Sequence, residues 1–483
     1  MQSWIKSVLW VVATFVVVWL AAILYWQNTT RMPAQSELLI YLGVLPLGLI
    51  ALGWGIHKVI NYQSAPPVDT AAADELKADA RDAEKATQDA HQRSWSLNIV
   101  AVTLQTSAGS SAAEALAKLK ENDVPSELDP ELKNDEGFAV FSARIADLDV
   151  TDTQQALQEW TKTGDFTEVQ FSDAQIRALH LARSSLSELM AAATAHPEIQ
   201  LFNERLAQER NANEDAVPSL KLMLLWPQRW VPVNQKAASH WLKAVAAEHG
   251  WPERRVSLQE MGPSQSGPFE LLDQMCLIAG KTQLPAVGIM LACDSGIDQS
   301  EIDVLTSQNM LFGAKNSAGY KPGEVAAGML IADERQSRLF EAGPLSQLNR
   351  ASWSLRDKSA DERGKISSDL LNTVVVQAMQ TAKVDAEQVK FVSADNDHKP
   401  NREAELAQMF TATLPELDCI KDAAKVAQIC GSTHYALTTA ALCIAHQHVV
   451  DEQLPALCVS LQSPFLRAAV LLTAAKTNSD AEI

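Results

Sequence analysis

The chain has 483 residues, with 40 Lys and Arg against 59 Asp and Glu and a formal charge of −19. That length accommodates a large domain with accessory segments. The acidic balance excludes a partner held by its phosphate backbone, because such partners are bound by clustered Lys and Arg.

Trp4, Trp10, Trp19 and Trp26 fall in one short N-terminal stretch, a distribution typical of membrane interfaces. Residues 8–26 form a nearly unbroken apolar run of spanning length, and residues 38–60 a second, whose apolar part Leu38–Ile56 contains Pro46 and several glycines. The first run is long, no Ala-x-Ala cleavage site follows, and a second run comes at once, so an uncleaved two-helix transmembrane hairpin is expected over residues 1–62. Lys6, Lys58 and Lys77 flank the hairpin, while the connecting loop carries only Arg31 against Glu37. This bias places both ends, and the body that follows, in the cytoplasm, anchored to the inner membrane. Cys276, Cys293, Cys419, Cys430, Cys443 and Cys458 lie in apolar or helical contexts without motif spacing, which favours buried free thiols of a reducing compartment over disulfides.

Residues 63–95 read as a linker, with Pro66-Pro67, followed by an Ala-rich charged helix. Ala72, Leu76, Ala80, Ala83, Ala86 and Ala90 make a thin apolar seam, and a stalk of about 33 Å is expected at a rise of about 1.5 Å per residue. A solvated helix is the better reading than a coiled coil, since Ala is a poor seam residue.

The body reads in two halves, 96–340 and 341–483. Leu97–Leu104 is a predicted strand, and Ser110-Ser111 caps a helix running to Asn122. Ala139–Ile145 reads as a strand, Phe171–Ala193 as an amphipathic helix capped at Ser172-Asp173, Lys221–Trp226 as a strand and Gln235–His249 as a helix. Between the last two, Trp226, Arg229 and Trp230 supply residue types enriched in binding hot spots and form a candidate partner-binding segment. The alternative is that both indoles pack against the first sheet. Met261-Gly262-Pro263-Ser264-Gln265-Ser266-Gly267-Pro268 is a tight turn opening the helix Phe269–Gly280. Val287–Cys293 is a continuously apolar strand of the kind buried in parallel sheets. Asn316–Asp333 holds the block Pro322-Gly323-Glu324-Val325-Ala326-Ala327-Gly328, and Asp361–Lys383 reads as a long helix.

The last stretch, Phe391–Leu472, reads as strand, polar loop, helix capped by Asn401, a loop marked by Gly431-Ser432, a long helix and two short strands. The apolar run Ala436–Ala445 is too continuous for a surface helix and belongs in the middle of a layered α/β core. The strands are Leu457–Leu461 and Ala468–Leu472, joined by a turn at Ser463-Pro464.

The order of these elements, with the Pro322–Ile331 block, Asp395–Glu405 and Gly431–Ala436, resembles the thiolase-like condensing enzymes, the β-ketoacyl synthases. The resemblance implies an α/β, five-layer αβαβα body over about Leu97–Thr473, built of two similar halves. In that family a Cys-x-x-Gly turn supplies a nucleophile whose thiol is activated by a helix N-terminus. Two histidines complete the site, one ahead of an Asp-x-x-Glu helix start and one in a Gly-His-x-x-Gly-Ala turn. Register set by Gly267, Glu405 and Gly431 puts Ser264 at the nucleophile, Ala394 or Asp395 at the first histidine and Ser432 at the second. The catalytic set is therefore degenerate.

A serine hydrolase built on Ser264 lacks a Gly-x-Ser-x-Gly elbow, and no base is identified for it. Cys430, His434 and Cys443 lack the partner set of a metal motif; His446 and His448 point to opposite sides of a helix. Asp395, Asp397, Glu403 and Glu405 include first-turn carboxylates that helix N-termini attract anyway. No cofactor or metal is implied.

The hairpin, the stalk and a condensing-type body without its Cys-His-His set resemble the type VI secretion lipase adaptor family. That resemblance implies a non-catalytic adaptor that binds a phospholipase effector and directs it to the VgrG spike, with a homodimer also open. The rival readings are a membrane-tethered divergent β-ketoacyl synthase-like acyltransferase, and a membrane subunit whose body only oligomerises.

Overall fold

A computed structural model describes residues 16, 18–20, 89–121, 127–163, 166–208, 212–259, 261, 267–340, 343, 345–362, 364–396 and 398–475. The expected spans 8–26 and 38–60 fall outside the described residues except at 16 and 18–20; no helix among the described residues is long and apolar enough to cross a membrane. Of the expected linker and stalk, 63–95, only 89–95 are described, and 89–93 are helical.

Strands follow in chain order as β1 (Leu97–Gln105), β2 (Glu127–Lys133), β3 (Ala139–Ser142), β4 (Leu220–Leu225), β5 (Val256–Gln259), β6 (Val287–Ser295), β7 (Glu324–Ala332), β8 (Ser346–Leu348), β9 (Ser352–Leu355), β10 (Phe391–Ala394), β11 (Ala423–Lys425), β12 (Ala456–Ser460) and β13 (Leu466–Ala474). The principal helices are α1 (Ala112–Glu121), α2 (Asp173–Ala193), α3 (Pro232–Glu248), α4 (Pro268–Thr282), α5 (Gln299–Ser307), α6 (Asp369–Ala382), α7 (Pro400–Thr413) and α8 (His434–Glu452).

Among the described residues all strands but β2 and β3 join one 11-stranded sheet, in the order β11-β10-β12-β13-β8-β1-β7-β6-β4-β5 with β9 paired to β13. Each half repeats one topology. In the first half β5, β4 and β6 are parallel neighbours, followed by antiparallel β7 and then β1. In the second, β11, β10 and β12 are parallel neighbours, followed by antiparallel β13 and then β8. Strands β1 and β8 meet antiparallel at the junction, Leu97 opposite Leu348. This duplication leaves little trace in the sequence, because a strand asks only for apolar residues of roughly the right size.

Both faces of the sheet are covered, as its strands demand. Every residue of β6 and β7 is buried, and strands apolar on both sides need a helical layer on each. One core cluster joins α2 and α3 to the first half-sheet, and another joins α6 and α7 to the second. Between them a third cluster gathers α1, α4 and α8 with the inward faces of both half-sheets. The five layers αβαβα follow. Helix α8 is buried nearly all round, and its run of small side chains, Ala436, Ala440, Ala441 and Ala445, lets strands approach from both sides.

Local chemistry explains several boundaries and corrects others. Ser172 and Gln175 form a reciprocal capping box at the start of α2. The helix expected over Asp361–Lys383 begins only at Asp369, after Gly364 at φ +137°; Asp361 instead pairs with Arg402 at 2.8 Å. Helix α7 starts at Pro400 with Lys399 as its N-cap residue, while the expected cap, Asn401, donates through Nδ2 to the Ala360 carbonyl. Helix α8 opens at His434 rather than at Gly431-Ser432. The strand expected over Ala139–Ile145 ends at Ser142. Strand β6 is parallel to β4 but antiparallel to β7, so the sheet is mixed. All six cysteines are free, and only Cys419 is not buried.

Candidate functional site

The N-termini of the two central helices, α4 and α8, open into one cavity of about 850 Å³. Its walls come from both halves: Phe269 of α4, Tyr435 and Leu437 of α8, Val304 of α5, Trp353 of β9 and Leu466 of β13. A mixed sheet carries its ligand sites beyond the carboxyl ends of its parallel strands: the Ser460 end of β12 lies here, and the Asp294-Ser295 end of β6 is bonded to Arg229, which lines the cavity.

The Pro322–Gly323 block and the Gly431–Ser432 loop clasp each other beneath this cavity. Ser432 N–H donates to the Lys321 carbonyl at 2.9 Å, and Lys321 N–H donates to Ser432 Oγ at 3.2 Å. The approach is close because both chains lack a Cβ: one added at Gly323 would stand 2.1 Å from the Cys430 carbonyl oxygen. Ser432, which the sequence register is expected to set at the second histidine of condensing enzymes, lines the cavity while its hydroxyl secures the clasp.

Asp395, which with Ala394 is a residue the sequence register is expected to set at the first histidine, is fully buried. Its carboxylate accepts from Ser460 Oγ at 2.5 Å, Thr438 Oγ1 at 2.6 Å, Leu461 N at 2.7 Å and Gln462 N at 3.1 Å. A carboxylate offers about four acceptor directions, so these donors saturate it. Burial pushes its carboxyl above the usual range, and the four donors pull against that shift. The group ties β10 to the turn after β12 and fixes the cavity floor, where Gln462 Nε2 donates to the His434 carbonyl at 2.5 Å and to Thr438 Oγ1 at 3.0 Å. Ala394, the other aligned position, is fully buried and packs into the core of the second half. Ser264 lies outside the described residues, as do its neighbours 262–266.

Two imidazoles stand near, though not at, the aligned positions. His434 lines the cavity at the first residue of α8, with φ +43°, and burial holds its pKa down. His398 places Nε2 2.6 Å from the Gly319 carbonyl, and its ring meets the Phe312 ring edge-on with centroids 4.5 Å apart.

The Trp226–Trp230 segment is built inward, against the exposed surface expected for it. Trp226 is 9% and Trp230 4% exposed; their rings stack with centroids 5.1 Å apart, and Trp226 Nε1 donates to Ser239 Oγ. The strand-to-helix turn at Pro227 and Pro232 folds both indoles under α3, where packing against the first half-sheet removes them from water. Arg229 is likewise engaged. It forks onto Asp294 at 2.5 and 2.9 Å, donates to the Ser295 carbonyl and reaches Glu301 at 3.1 Å. Burial works against its charge, but the Asp294 carboxylate holds the guanidinium well above its ordinary pKa. Sequence reasoning passed over Asp294 and Tyr320. The signal for the first was a carboxylate ending a wholly apolar strand; nothing local marked the second, whose buried hydroxyl has no hydrogen-bond partner among the described residues.

Glu405, Glu403 and Glu324 are each paired with basic side chains. Glu405 and Arg467 are both fully buried and joined by two bonds of 2.7 and 2.8 Å, with Arg356 at 3.0 Å. Glu403 accepts from Lys425 and Asn396. In the first half Glu324 takes the same part, bonded to Arg177 at 2.5 and 2.8 Å and to Ser295 Oγ. Asp397 lies outside the described residues, and among those described no group of His, Cys, Asp and Glu has the geometry to hold a metal.

Comparison with solved structures places this fold. The ketosynthase from module 6 of the bacillaene synthase of Bacillus subtilis 168 is similar at TM-score 0.54 and 9% identity, over 79% of this chain and 72% of that one. The oxazolomycin ketosynthase domain of Streptomyces albus JA3453 is similar at TM-score 0.53 and 11% identity, over 79% and 74%. The ishigamide ketosynthase/chain length factor is similar at TM-score 0.50 and 13% identity, over 79% and 100%. At such identities the likeness establishes a ketosynthase-type, thiolase-like fold. No protein-family model and no curated protein sequence matches the chain.

Proposed function

We propose that the body is a non-catalytic binding module on a ketosynthase-type scaffold. One observation carries the reading: the two positions aligned with the catalytic histidines hold side chains already spent on structure. Asp395 is saturated by four donors, and Ser432 closes the clasp with Lys321. General acid–base work needs a group with a free lone pair or proton facing the substrate and a pKa near the working pH. At these positions Asp395 has its acceptor directions taken by four donors, and Ser432 offers only a hydroxyl, a group that does not titrate near neutral pH.

The specific form of this reading is a type VI secretion adaptor that binds a phospholipase effector and delivers it to the VgrG spike, with residues 8–26 and 38–60 anchoring the body to the inner membrane. Its support is the layout of the sequence, in which apolar segments and a charged Ala-rich stretch precede a body of this fold. The test is capture. Purified full-length chain mixed with a type VI phospholipase effector and VgrG should hold both in one complex on a sizing column. An effector that elutes apart from the chain overturns the adaptor role.

A second reading is favoured by the cavity itself: a membrane-tethered acyltransferase using His434 in a new position. It predicts release of free thiol from acyl thioesters, and it predicts that His434→Ala removes that release.

A further inference from the structure

Strand β9 is an edge with an unusual character. It pairs with β13 alone among the described residues, Trp353 opposite Ala468 and Leu355 opposite Leu466. Arg356 N–H donates to the Phe465 carbonyl, and in an antiparallel ladder alternate residues bond to a given neighbour. The backbone groups of Ser354 therefore face β13, and those of Trp353 and Leu355 face the open edge.

Edges of this kind are commonly blunted by Lys, Pro or an inward charge. Ser352-Trp353-Ser354-Leu355 has none of these. Side chains two apart share a face, and here that face leads into the cavity. Trp353, Leu466 and Ala468 line it, while Leu355 extends the same wall outward at 61% exposure. Across the opening Val304 and Met310, both cavity-lining, are 54% and 50% exposed. An apolar trough thus runs along an unpaired strand edge and deepens into the cavity.

We propose that this trough docks an extended segment of a partner polypeptide, added to β9 as a further strand. Main-chain hydrogen bonds to Trp353 and Leu355 would set its register, and alternate apolar side chains would drop into the cavity. The chain's charge of −19 favours Lys or Arg at the solvent-facing positions between them. The proposal rests on the reading of the body as a binding module, and names the surface by which it binds.

The probe is a short fluorescein-labelled peptide alternating Val with Lys, added to the full-length chain. Its partner is the same peptide with alternate backbone amides N-methylated. The expected results are micromolar binding by anisotropy, hydrogen exchange at the Trp353 and Leu355 amides slowed about tenfold or more on binding, and loss of binding on N-methylation. Leu355→Asp, at an exposed position, should weaken binding by about tenfold or more with the thermal melt unchanged. Absence of binding, or binding without protection of those two amides, overturns the proposal. So does protection of both amides before any peptide is added, which would mean that another segment of this chain or a second copy covers the edge. A Leu355→Asp chain that loses the peptide but still captures the effector with undiminished affinity refutes this surface as the effector's dock while leaving the binding-module reading intact.

Discussion

Gly323 and Gly431 cross backbone to backbone: a Cβ on Gly431 would stand 2.9 Å from the Gly323 Cα and 2.8 Å from the Lys321 carbonyl oxygen, at φ +65°. The crossing binds the strand entering β7 to the loop that launches α8, and so joins the two halves at the cavity. Gly431→Ala is expected to destabilise the body by about 1–3 kcal/mol, from overpacking and the left-handed backbone together. Urea denaturation measures it. Gly343→Ala, where an added Cβ meets nothing within 4 Å, should leave the midpoint in place; equal stability of the two variants would refute the clasp.

Trp230→Ala is expected to cost about 3–5 kcal/mol of stability, the usual range for emptying a large buried aromatic site. Any loss of partner capture by this variant should track unfolding and vanish when binding is measured at low temperature, where the variant stays folded. A variant of normal stability that fails to capture would restore the indole to the binding surface.

The buried pair Glu405–Arg467 makes a prediction about coupling. Removing one member leaves a charge in the core, and Arg467→Met should cost about 3–5 kcal/mol. Glu405→Leu combined with Arg467→Met should recover much of that loss, since well-packed apolar replacements of buried pairs are often near neutral. Additive losses in the double variant would argue that each side chain is held by other partners, Arg356 among them.

His446 sits 5% exposed on α8, with Nδ1 2.7 Å from Ser346 Oγ, and burial pulls its pKa down to about 4. The unfolded imidazole takes a proton near pH 6.5, so between pH 6.5 and about 4 the unfolded chain binds more protons than the folded one. Stability should be complete above pH 6.5 and fall as pH drops toward 4, by on the order of 3 kcal/mol from this residue. His446→Gln should flatten that slope in denaturation curves taken across the window; an unchanged slope would assign it to other groups.

Much of this architecture was legible in the sequence because it is written in continuous apolar runs. Strands β6, β7 and β12 and helix α8 announce their burial by composition, and the glycines of the Pro322–Gly323 and Gly431 blocks mark a close approach whose partners the structure supplies. Short elements were not legible: β5, β8 and β11 are 3–4 residues long and owe their existence to neighbours already in the sheet. The orientation of the Trp226–Trp230 turn was equally hidden, since indoles, prolines and an arginine read alike facing in or out. Arg229 finds Asp294 and Glu301 65 and 72 residues along the chain, and pairings at such separation leave no periodic trace. The saturation of Asp395 by Thr438, Ser460 and two backbone amides is of the same kind.

The central claim is the proposal that the body binds rather than catalyses, with Asp395 and Ser432 held in structural hydrogen bonds. The most direct test is thiol release by the full-length chain from acyl and malonyl thioesters of coenzyme A and of an acyl carrier protein, with intact-mass analysis for an acyl adduct. The account predicts release no faster than in buffer and no adduct at Ser264. Steady turnover that Ser264→Ala abolishes, as loss of a nucleophile does by orders of magnitude, would contradict it.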